Sequence, residues 1–336
     1  MANVQSESIF AVAPNGSSAP DSVTLANGSV WVEYGNTASS KATPGTAGSS
    51  TIVQYSTLGV VENTYTIAGE ADGLKFDPKT GNVWVLQNQD GNSSLTQISP
   101  ATGQVSQPLT YDSGYVYGSA SSRGFDDVAF LHNKVFLSET NPSNPGDPVV
   151  VQLANGPAPF GTLDVNSILR LGDTGTNLVT GATNQPLPVS DPDSLKTLPD
   201  GSLILTSEHD AAFTFIHDPG TTHQTASFLT LPSGAGTPDD AIMPTATAGT
   251  FYISSTTNNQ VLAIQATDLN PNDLYASVGN NLDQIDLKTG TVTTLATGVT
   301  GAHGLSFQPA AGAYAVADSS ADHSGSWAGG IATQNG

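Results

Sequence analysis

Six polar side chains recur at equivalent places along this chain, each at the start of a short apolar strand pattern. The repeated phrase is a polar pair, an apolar strand, a tight turn and a second strand. The first residues of the six pairs are Asp21, Asp72, Asp126, Asp193, Asp239 and His303. Clustered carboxylates either take up protons or bind a cation. Their oxygen atoms favour Ca²⁺ or Mg²⁺, and the histidine leaves Zn²⁺, Mn²⁺ or Fe²⁺ open.

A divalent ion held by these residues would polarise a carbonyl or phosphoryl oxygen, or would lower the pKa of a bound water. A neighbouring free carboxylate or His209 would then act as a general base. The structural alternative is that each aspartate serves only its own turn. Asp before Gly or Ser often caps a turn through its side chain, which requires no ligand.

The second copy of the phrase shows which elements must position these residues. Residues 71–77 alternate in polarity and predict a strand, and the P-K-T-G sequence at 78–81 predicts a turn. Residues 82–86 predict a second strand, rich in β-branched and aromatic side chains, and two more strands follow before residue 110. Four antiparallel strands in about forty residues are typical of a propeller blade. The sequence therefore predicts an all-β, six-bladed β-propeller with four-stranded antiparallel blades, in a single domain spanning residues 1–336.

The two ends of the chain predict how the ring closes. Residues 8–12 form a strand pattern ahead of the first copy, which can complete the last blade and remove its open edge. The last copy itself supplies strand patterns near residues 304–307, 313–317 and 331–333. The N-terminal strand is therefore predicted to close the ring.

One region carries more strand pattern than a single blade needs. The second strand of the fifth copy is predicted at residues 251–253, beside the inner strand that starts at Asp239. Three further strand patterns follow, at residues 274–278, 282–287 and 292–296. They indicate either a decorated fifth blade or a degenerate extra blade, so a seven-bladed ring is the alternative.

The inner strand of each propeller blade lines the central channel and starts on the face where the second strand ends. The six first residues are therefore predicted to crowd one mouth of the channel. The ends of the second strands add candidate catalytic or positioning residues at the same mouth: Glu139, Glu208, His209 and Asp318. The aromatic residues in the middle of the second strands are interpreted as packing between blades: Trp31, Trp84, Phe136 and Tyr252.

Composition argues against several classes of function. The chain has 29 Asp and Glu against 8 Lys and Arg, a formal net charge of −21. No basic footprint exists, so nucleic acid is not expected as a partner, and anionic membrane surfaces are disfavoured for the same reason. There is no cysteine, which excludes a disulfide framework and a thiolate site. Nucleotide-binding and G-x-S-x-G motifs are also missing.

The chain is rich in Ser, Thr and Asn and poor in Lys. We interpret this composition as typical of a secreted or periplasmic protein. Residues 1–20 show no signal peptide pattern, so an exported protein is expected here in its mature form. No segment approaches transmembrane length. The expected partner is a small-molecule substrate, and the expected state is a monomer.

The second copy resembles a known family. Its D-G-L-K-F-D-P-K-T-G-N-V-W-V sequence at residues 72–85, followed by S-P-A-T-G at 99–103, is similar to the blade pattern of the gluconolactonase (regucalcin-like) family of six-bladed propellers. The resemblance implies that Asp72 is a divalent-metal ligand and the acid/base. Asp21, in a D-S-V sequence, is similar to the family's first-blade ligand, with Asp in place of Glu.

Two features of that family have no direct match in this chain. The family's third metal ligand is an Asn, whereas Asp126, Asp193, Asp239 and His303 stand in the candidate positions. The family's substrate-binding Arg has no counterpart. The resemblance implies a metal-dependent hydrolase that opens a lactone or a similar ester. The alternatives are another propeller enzyme (a phosphoester hydrolase, lyase or isomerase) and a non-catalytic secreted propeller that binds a ligand or a protein.

Overall fold

A computed structural model describes residues 2–40, 48–88, 90, 93–111, 124–154, 162–163 and 165–313. These residues form β-strands joined by turns and loops, without a helix. None of them therefore belongs to an apolar helix of membrane-spanning length.

The strands are short and follow one another closely along the chain. In chain order they are β1 (Asn3–Val12), β2 (Pro20–Ala26), β3 (Ser29–Tyr34), β4 (Ser49–Ser56), β5 (Val61–Ala68), β6 (Ala71–Asp77), β7 (Asn82–Gln87), β8 (Ser94–Ile98), β9 (Leu109–Tyr111), β10 (Phe125–Leu131), β11 (Lys134–Glu139), β12 (Pro148–Leu153), β13 (Thr162–Leu163), β14 (Val165–Arg170), β15 (Thr174–Asn177), β16 (Gln185–Pro186), β17 (Pro192–Thr197), β18 (Leu203–Ser207), β19 (Ala212–His217), β20 (Thr225–Thr230), β21 (Pro238–Ile242), β22 (Gly249–Ser255), β23 (Gln260–Thr267), β24 (Leu274–Val278), β25 (Asn281–Ile285), β26 (Val292–Thr297) and β27 (Ala302–Pro309).

Six sheets are arranged as the blades of a propeller. From the inside outward, blade 1 is β2-β3-β4-β5, blade 2 is β6-β7-β8-β9, blade 3 is β10-β11-β12-β14, blade 4 is β17-β18-β19-β20, blade 5 is β21-β24-β25-β26 and blade 6 is β27-β22-β23-β1. β13 extends blade 2, and β15 with β16 extends blade 4. The six inner strands contact one another in this order, and β27 contacts β2, which closes the ring. The predicted six-bladed, all-β propeller is confirmed.

Blades 5 and 6 share a crossover that the repeat pattern did not predict. β22, expected beside β21, pairs instead with β27, where Tyr252 lies opposite Ser306. β21 pairs with β24, where Ala241 lies opposite Ala276. The prediction was wrong here because neighbouring strands in sequence pair often but not always. The strand patterns after residue 270 complete blade 5, so the described residues contain no seventh blade.

The N-terminal strand closes the ring as predicted. β1 is the outermost strand of blade 6 and pairs antiparallel with β23, with Glu7 opposite Ile264. Blade 6 therefore reaches four strands with residues that lie before Ala310. The further strand pattern predicted at residues 313–317 lies outside the described residues from 314 onward, and the pattern predicted at 331–333 lies wholly outside them.

Large aromatic side chains pack between blades, as interpreted from the sequence. Trp31 of blade 1 packs with Val83 and Val85 of blade 2, and both tryptophans of the second-strand column are fully buried. Phe136 of blade 3 packs in the same way with Leu205 of blade 4. These clusters bury the faces that a single blade leaves open, which is how a repeat architecture builds its core. They also hold the inner strands at fixed places around the channel.

Candidate functional site

Each inner strand begins with a β-bulge that contains the repeated polar pair. In blade 1, Pro20 pairs with Tyr34 and Val23 pairs with Val32, so two residues stand opposite one on the neighbouring strand. The same irregularity occurs at the same place in the other five blades. A bulge re-aims side chains at a strand end and is common beside active sites. Here it is repeated around one mouth of the channel, which we call the acidic mouth.

The single residue opposite the bulge is a serine in blades 3, 5 and 6, namely Ser138, Ser277 and Ser254. Ser138 Oγ accepts a hydrogen bond from the backbone N–H of Asp127 at 2.9 Å. Ser277 Oγ accepts the corresponding bond from Asp240 at 2.9 Å. A buried N–H released by the bulge is thereby satisfied. These two hydroxyls stabilise the irregular strand ends without adding charge.

Blade 1 has Glu33 at this position instead of serine. Glu33 is fully buried, and neither carboxylate oxygen has a hydrogen bond of normal geometry among the described residues. Burial raises its pKa well above the usual range, and the nearby charges of Asp21 and Glu70 add to the shift, while the Ser50 hydroxyl opposes it in part. Blades 3 to 6 have a hydroxyl residue at this position and blade 2 has Leu86, so Glu33 is the one carboxylate opposite a bulge and a candidate functional group at the mouth.

His303 bridges two carboxylates across the mouth. Its Nδ1 lies 2.7 Å from Asp239 Oδ1 and 3.2 Å from Asp21 Oδ1. Burial disfavours the charged imidazole, but hydrogen bonds and charge attraction from Asp21 and Asp239 outweigh it and raise the pKa of His303 to about 12. The histidine therefore carries a proton at neutral pH and acts as an internal cation in the mouth.

A second group consists only of carboxylates. One oxygen each from Asp193, Glu208 and Asp239 lies within 4.8 Å of the other two. Burial raises the pKa of all three, and the charge of Asp239 is the next cause for Asp193. The pKa of Asp239 is raised to about 7, and its hydrogen bond to His303 opposes the rise. Asp193 Oδ2 is buried and has no hydrogen-bond partner among the described residues.

Asp72 and Asp126 extend the acidic mouth into blades 2 and 3. Burial raises the pKa of Asp72 well above its usual value, and the charges of Asp21, Asp126 and Asp193 raise it further. Burial also raises the pKa of Asp126, against a lowering hydrogen bond from Thr140. All six first residues of the repeat thus interact electrostatically or by hydrogen bonds within one network.

The candidates from the second strands are placed differently. Glu139 is buried at the end of β11, opposite Phe125 at the start of β10. Glu208 belongs to the carboxylate group described above. His209 is exposed in the turn between β18 and β19, outside both candidate ligand groups of the described residues. Asp318 lies outside the described residues.

Sequence reasoning missed Glu70, which lies at the edge of the mouth. Burial raises its pKa to about 7, and the charge of Asp21 is the next cause. Glu70 precedes Asp72 by two residues and lies directly before β6. Asp191, two residues before Asp193, likewise raises the pKa of Glu208. An acid two positions before the repeat was the available signal.

A second layer of charges is formed by Asp127 on β10 and Asp240 on β21, each the residue after the first aspartate of its repeat. Lys75 Nζ lies 2.9 Å from Asp127 Oδ2, and Lys196 Nζ lies 2.6 Å from Asp240 Oδ2. Asp127 also accepts the backbone N–H of Leu195 at 3.0 Å. We call these two ion pairs the paired layer. The Lys75–Asp127 pair, with the N–H of Leu195, ties blades 2, 3 and 4 together. The Lys196–Asp240 pair, with the N–H of Leu305, ties blades 4, 5 and 6 together.

The donor sets at the mouth differ in how well they suit a cation. In the group of Asp21, Asp239 and His303, the imidazole already takes the place of a positive ion. The group of Asp193, Glu208 and Asp239 offers oxygen ligands only, one of them buried without a partner. Oxygen donors fit Ca²⁺ or Mg²⁺ better than the nitrogen-preferring transition metals. Acidic residues here could hold a divalent metal, and the all-carboxylate group is the better fit.

No protein-family model matches the chain, and no curated protein sequence is similar to it. Solved structures do match. A candidate gluconolactonase shares 11% identity with a TM-score of 0.51, over 90% of this chain and 83% of its own. A Bacteroides thetaiotaomicron protein of unknown function shares 10% identity with a TM-score of 0.53, over 92% and 70% of the two chains. A streptogramin B lyase shares 13% identity with a TM-score of 0.46, over 86% and 72%. The first two likenesses, with TM-scores above 0.5, support the propeller fold and nothing beyond it.

Proposed function

We propose that this protein is a hydrolase of small lactones or similar esters that works with a divalent cation at the acidic mouth. The observation that carries the proposal is the group of Asp193, Glu208 and Asp239, whose oxygens converge within 4.8 Å. Buried carboxylates are costly to keep ionised without a counter-ion. Clusters of groups with strongly shifted pKa values are typical of functional sites. The likeness to a candidate gluconolactonase fold agrees with this class of reaction.

Asp193, Glu208 and Asp239 would hold the cation. When bound, a divalent ion supplies Lewis-acid polarisation of an ester carbonyl and lowers the pKa of a nearby water. Asp72 is the proposed acid/base, because its raised pKa brings proton exchange closer to neutral pH, where general acid–base catalysis is efficient. His303 holds a proton at the mouth and orients Asp239 and Asp21. Glu139 is proposed to position substrate or water.

The experiment is a substrate screen coupled to metal analysis. Wild-type protein is dialysed against chelator, reloaded with Ca²⁺ or Mg²⁺, and assayed on lactones, p-nitrophenyl esters and phosphoesters. We expect lactone or ester hydrolysis that disappears with chelator and returns with the ion. Asp193→Asn should lose both ion binding and activity, whereas Glu7→Gln, an exposed carboxylate on β1, should change neither.

Three results would count against all or part of the proposal. Activity on lactones that survives complete metal removal would contradict the role of the cation. A protein that binds the ion but hydrolyses none of the three substrate classes would instead favour a ligand-binding propeller. Phosphoester hydrolysis alone would keep the cation site and replace the substrate class.

A further inference from the structure

The channel ends, on the face away from the acidic mouth, in a partly open cavity of about 150 Å³. All six inner strands line it through the residue three positions after the first residue of each repeat: Thr24, Lys75, Ala129, Lys196, Ile242 and Ser306. At roughly 3.3 Å per residue, this level lies about 10 Å along the strands from the mouth. We call this space the basal cavity. A cavity of this volume can hold a molecule the size of benzene.

The walls of the basal cavity are largely apolar. Phe76, Phe130 and Phe307 contribute aromatic surface, and Met243 contributes a thioether. Ligand pockets typically combine such walls with a few polar groups that fix orientation. The hydroxyl of Thr197 does not serve that purpose, because it donates to the carbonyl oxygen of Phe130 at 2.8 Å. Ser306 Oγ likewise donates to the carbonyl oxygen of Val23 at 2.6 Å. The polar groups left on the wall are the hydroxyls of Thr24 and Thr245 and the ammonium groups of the two lysines, and only the lysines carry charge.

Both lysine ammonium groups retain donor capacity toward the cavity. An ammonium group has three N–H donors. Among the described residues, Lys75 has one acceptor, Asp127, and Lys196 has two, Asp240 and the carbonyl oxygen of Leu305. Both lysine side chains are largely buried, and both line the cavity. Hydrogen bonds from a charged donor to an anion are about twice as strong as neutral ones.

We propose that the basal cavity binds a small carboxylate that carries one benzene-sized apolar group. The apolar group would lie against the phenylalanines, and the carboxylate would accept hydrogen bonds from Lys75 and Lys196. The lowered pKa of Lys196, which burial causes, agrees with a position where an added anion would stabilise the charged form. This site is separate from the acidic mouth, and it uses none of the residues assigned to hydrolysis.

The test is a titration of the full-length protein with benzoate, followed by calorimetry and by ligand-observed NMR. We expect a dissociation constant of about 1 mM or tighter, which is within reach of a ligand of this size. Benzyl alcohol should bind about tenfold more weakly, and benzylamine should not bind measurably. Equal affinity for benzoate and benzyl alcohol, or no binding of benzoate, would overturn the proposal.

Variants locate the binding. Met243→Trp fills the cavity and should abolish benzoate binding. Lys75→Met should weaken benzoate about tenfold and leave benzyl alcohol unchanged, because Asp127 keeps its bond from the Leu195 N–H. Lys79→Met, an exposed lysine in the turn after β6, is the matched control and should bind as wild type. Thermal melting checks that each variant is folded. A folded Met243→Trp protein that still binds benzoate normally would place the ligand elsewhere and end the proposal.

Discussion

Consecutive aspartates in blades 3 and 5 have opposite environments. Asp126 and Asp239 face other acids at the mouth, and burial raises their pKa values. Asp127 and Asp240, one residue later, belong to the paired layer and bond to lysines. The difference comes from the bulge, which sends two successive side chains toward different neighbours.

The comparison separates two uses of buried charge within one channel. In the paired layer each carboxylate has an ammonium and a backbone N–H that offset its buried charge, although burial still raises the pKa of Asp127. At the mouth, the described carboxylates outnumber the one imidazolium, and the excess negative charge destabilises the fold unless protons or a cation are present. The mouth is therefore where a bound cation would stabilise the fold, whereas the paired layer joins neighbouring blades without one.

The largest expected effect is the loss of activity in Asp239→Asn. Removing one member of the all-carboxylate group should reduce hydrolysis by about 10³-fold, comparable to the loss of a positioned acid–base group. The cation-free variant should unfold at nearly the same temperature as wild type, because the loss of one buried negative charge offsets the weakened attraction to the His303 imidazolium. Activity assays and thermal melting measure both. A marked loss of stability together with normal activity would invert the roles assigned to the two layers.

The neighbouring substitution Asp240→Ala should act on stability. It leaves the Lys196 ammonium and the N–H of Leu305 without their carboxylate, which costs about 3 kcal/mol for a broken buried pair. Urea denaturation measures the change in the free energy of unfolding. The double variant Lys196→Met with Asp240→Leu should recover most of the loss, since replacing both partners by apolar groups is often neutral. No recovery would indicate that the carboxylate has another role.

The stability of the cation-free protein should depend on pH with a defined sign. The pKa of Asp239 is raised to about 7, so the folded state binds more protons than the unfolded state between about pH 4 and 7. Stability should therefore fall as pH rises through this range. His303 acts in the same direction, because its stabilisation is complete below its unfolded pKa and is lost as pH rises toward about 12.

Thermal melting in chelator should accordingly give a melting temperature about 3–6 °C higher at pH 5.5 than at pH 8. Added Ca²⁺ or Mg²⁺ should reduce this difference, because an ion at the mouth stabilises the deprotonated carboxylates. The Asp239→Asn variant is the control and should show a weaker pH dependence. A chelated protein that is more stable at pH 8 would contradict the excess of negative charge at the mouth.

The smallest expected effect is a gain of stability in Glu33→Gln. The substitution removes a buried carboxylate whose pKa is raised by burial and by Asp21, and it should raise the free energy of unfolding by about 1 kcal/mol. Glu33→Ser, which copies the serine of blades 3, 5 and 6, tests whether a hydroxyl is sufficient at the bulge. Urea denaturation in chelator measures both. A loss of stability in Glu33→Gln would show that the carboxylate has a structural partner.

Much of the ring followed from the sequence, because strand alternation and turn residues are local signals. The repeat predicted the inner strands that start at Asp21 and at Asp72, and the aromatic packing of Trp31 and Trp84. It assigned β22 to the wrong blade, because its pattern fits either neighbour. It did not anticipate Glu70 or the lysine partners of the paired layer, since these contacts join different blades.

By itself, the sequence determined the number of repeats, the strand character of each and the excess of acids at one position, because periodicity and residue type are properties of the chain. Only the tertiary structure decided which carboxylates are compensated and which are not. Asp239 and Asp240 are the same residue type in consecutive positions, and nothing local distinguishes them. Their difference arises from desolvation and from partners such as His303 and Lys196, which the closed ring brings together from other blades.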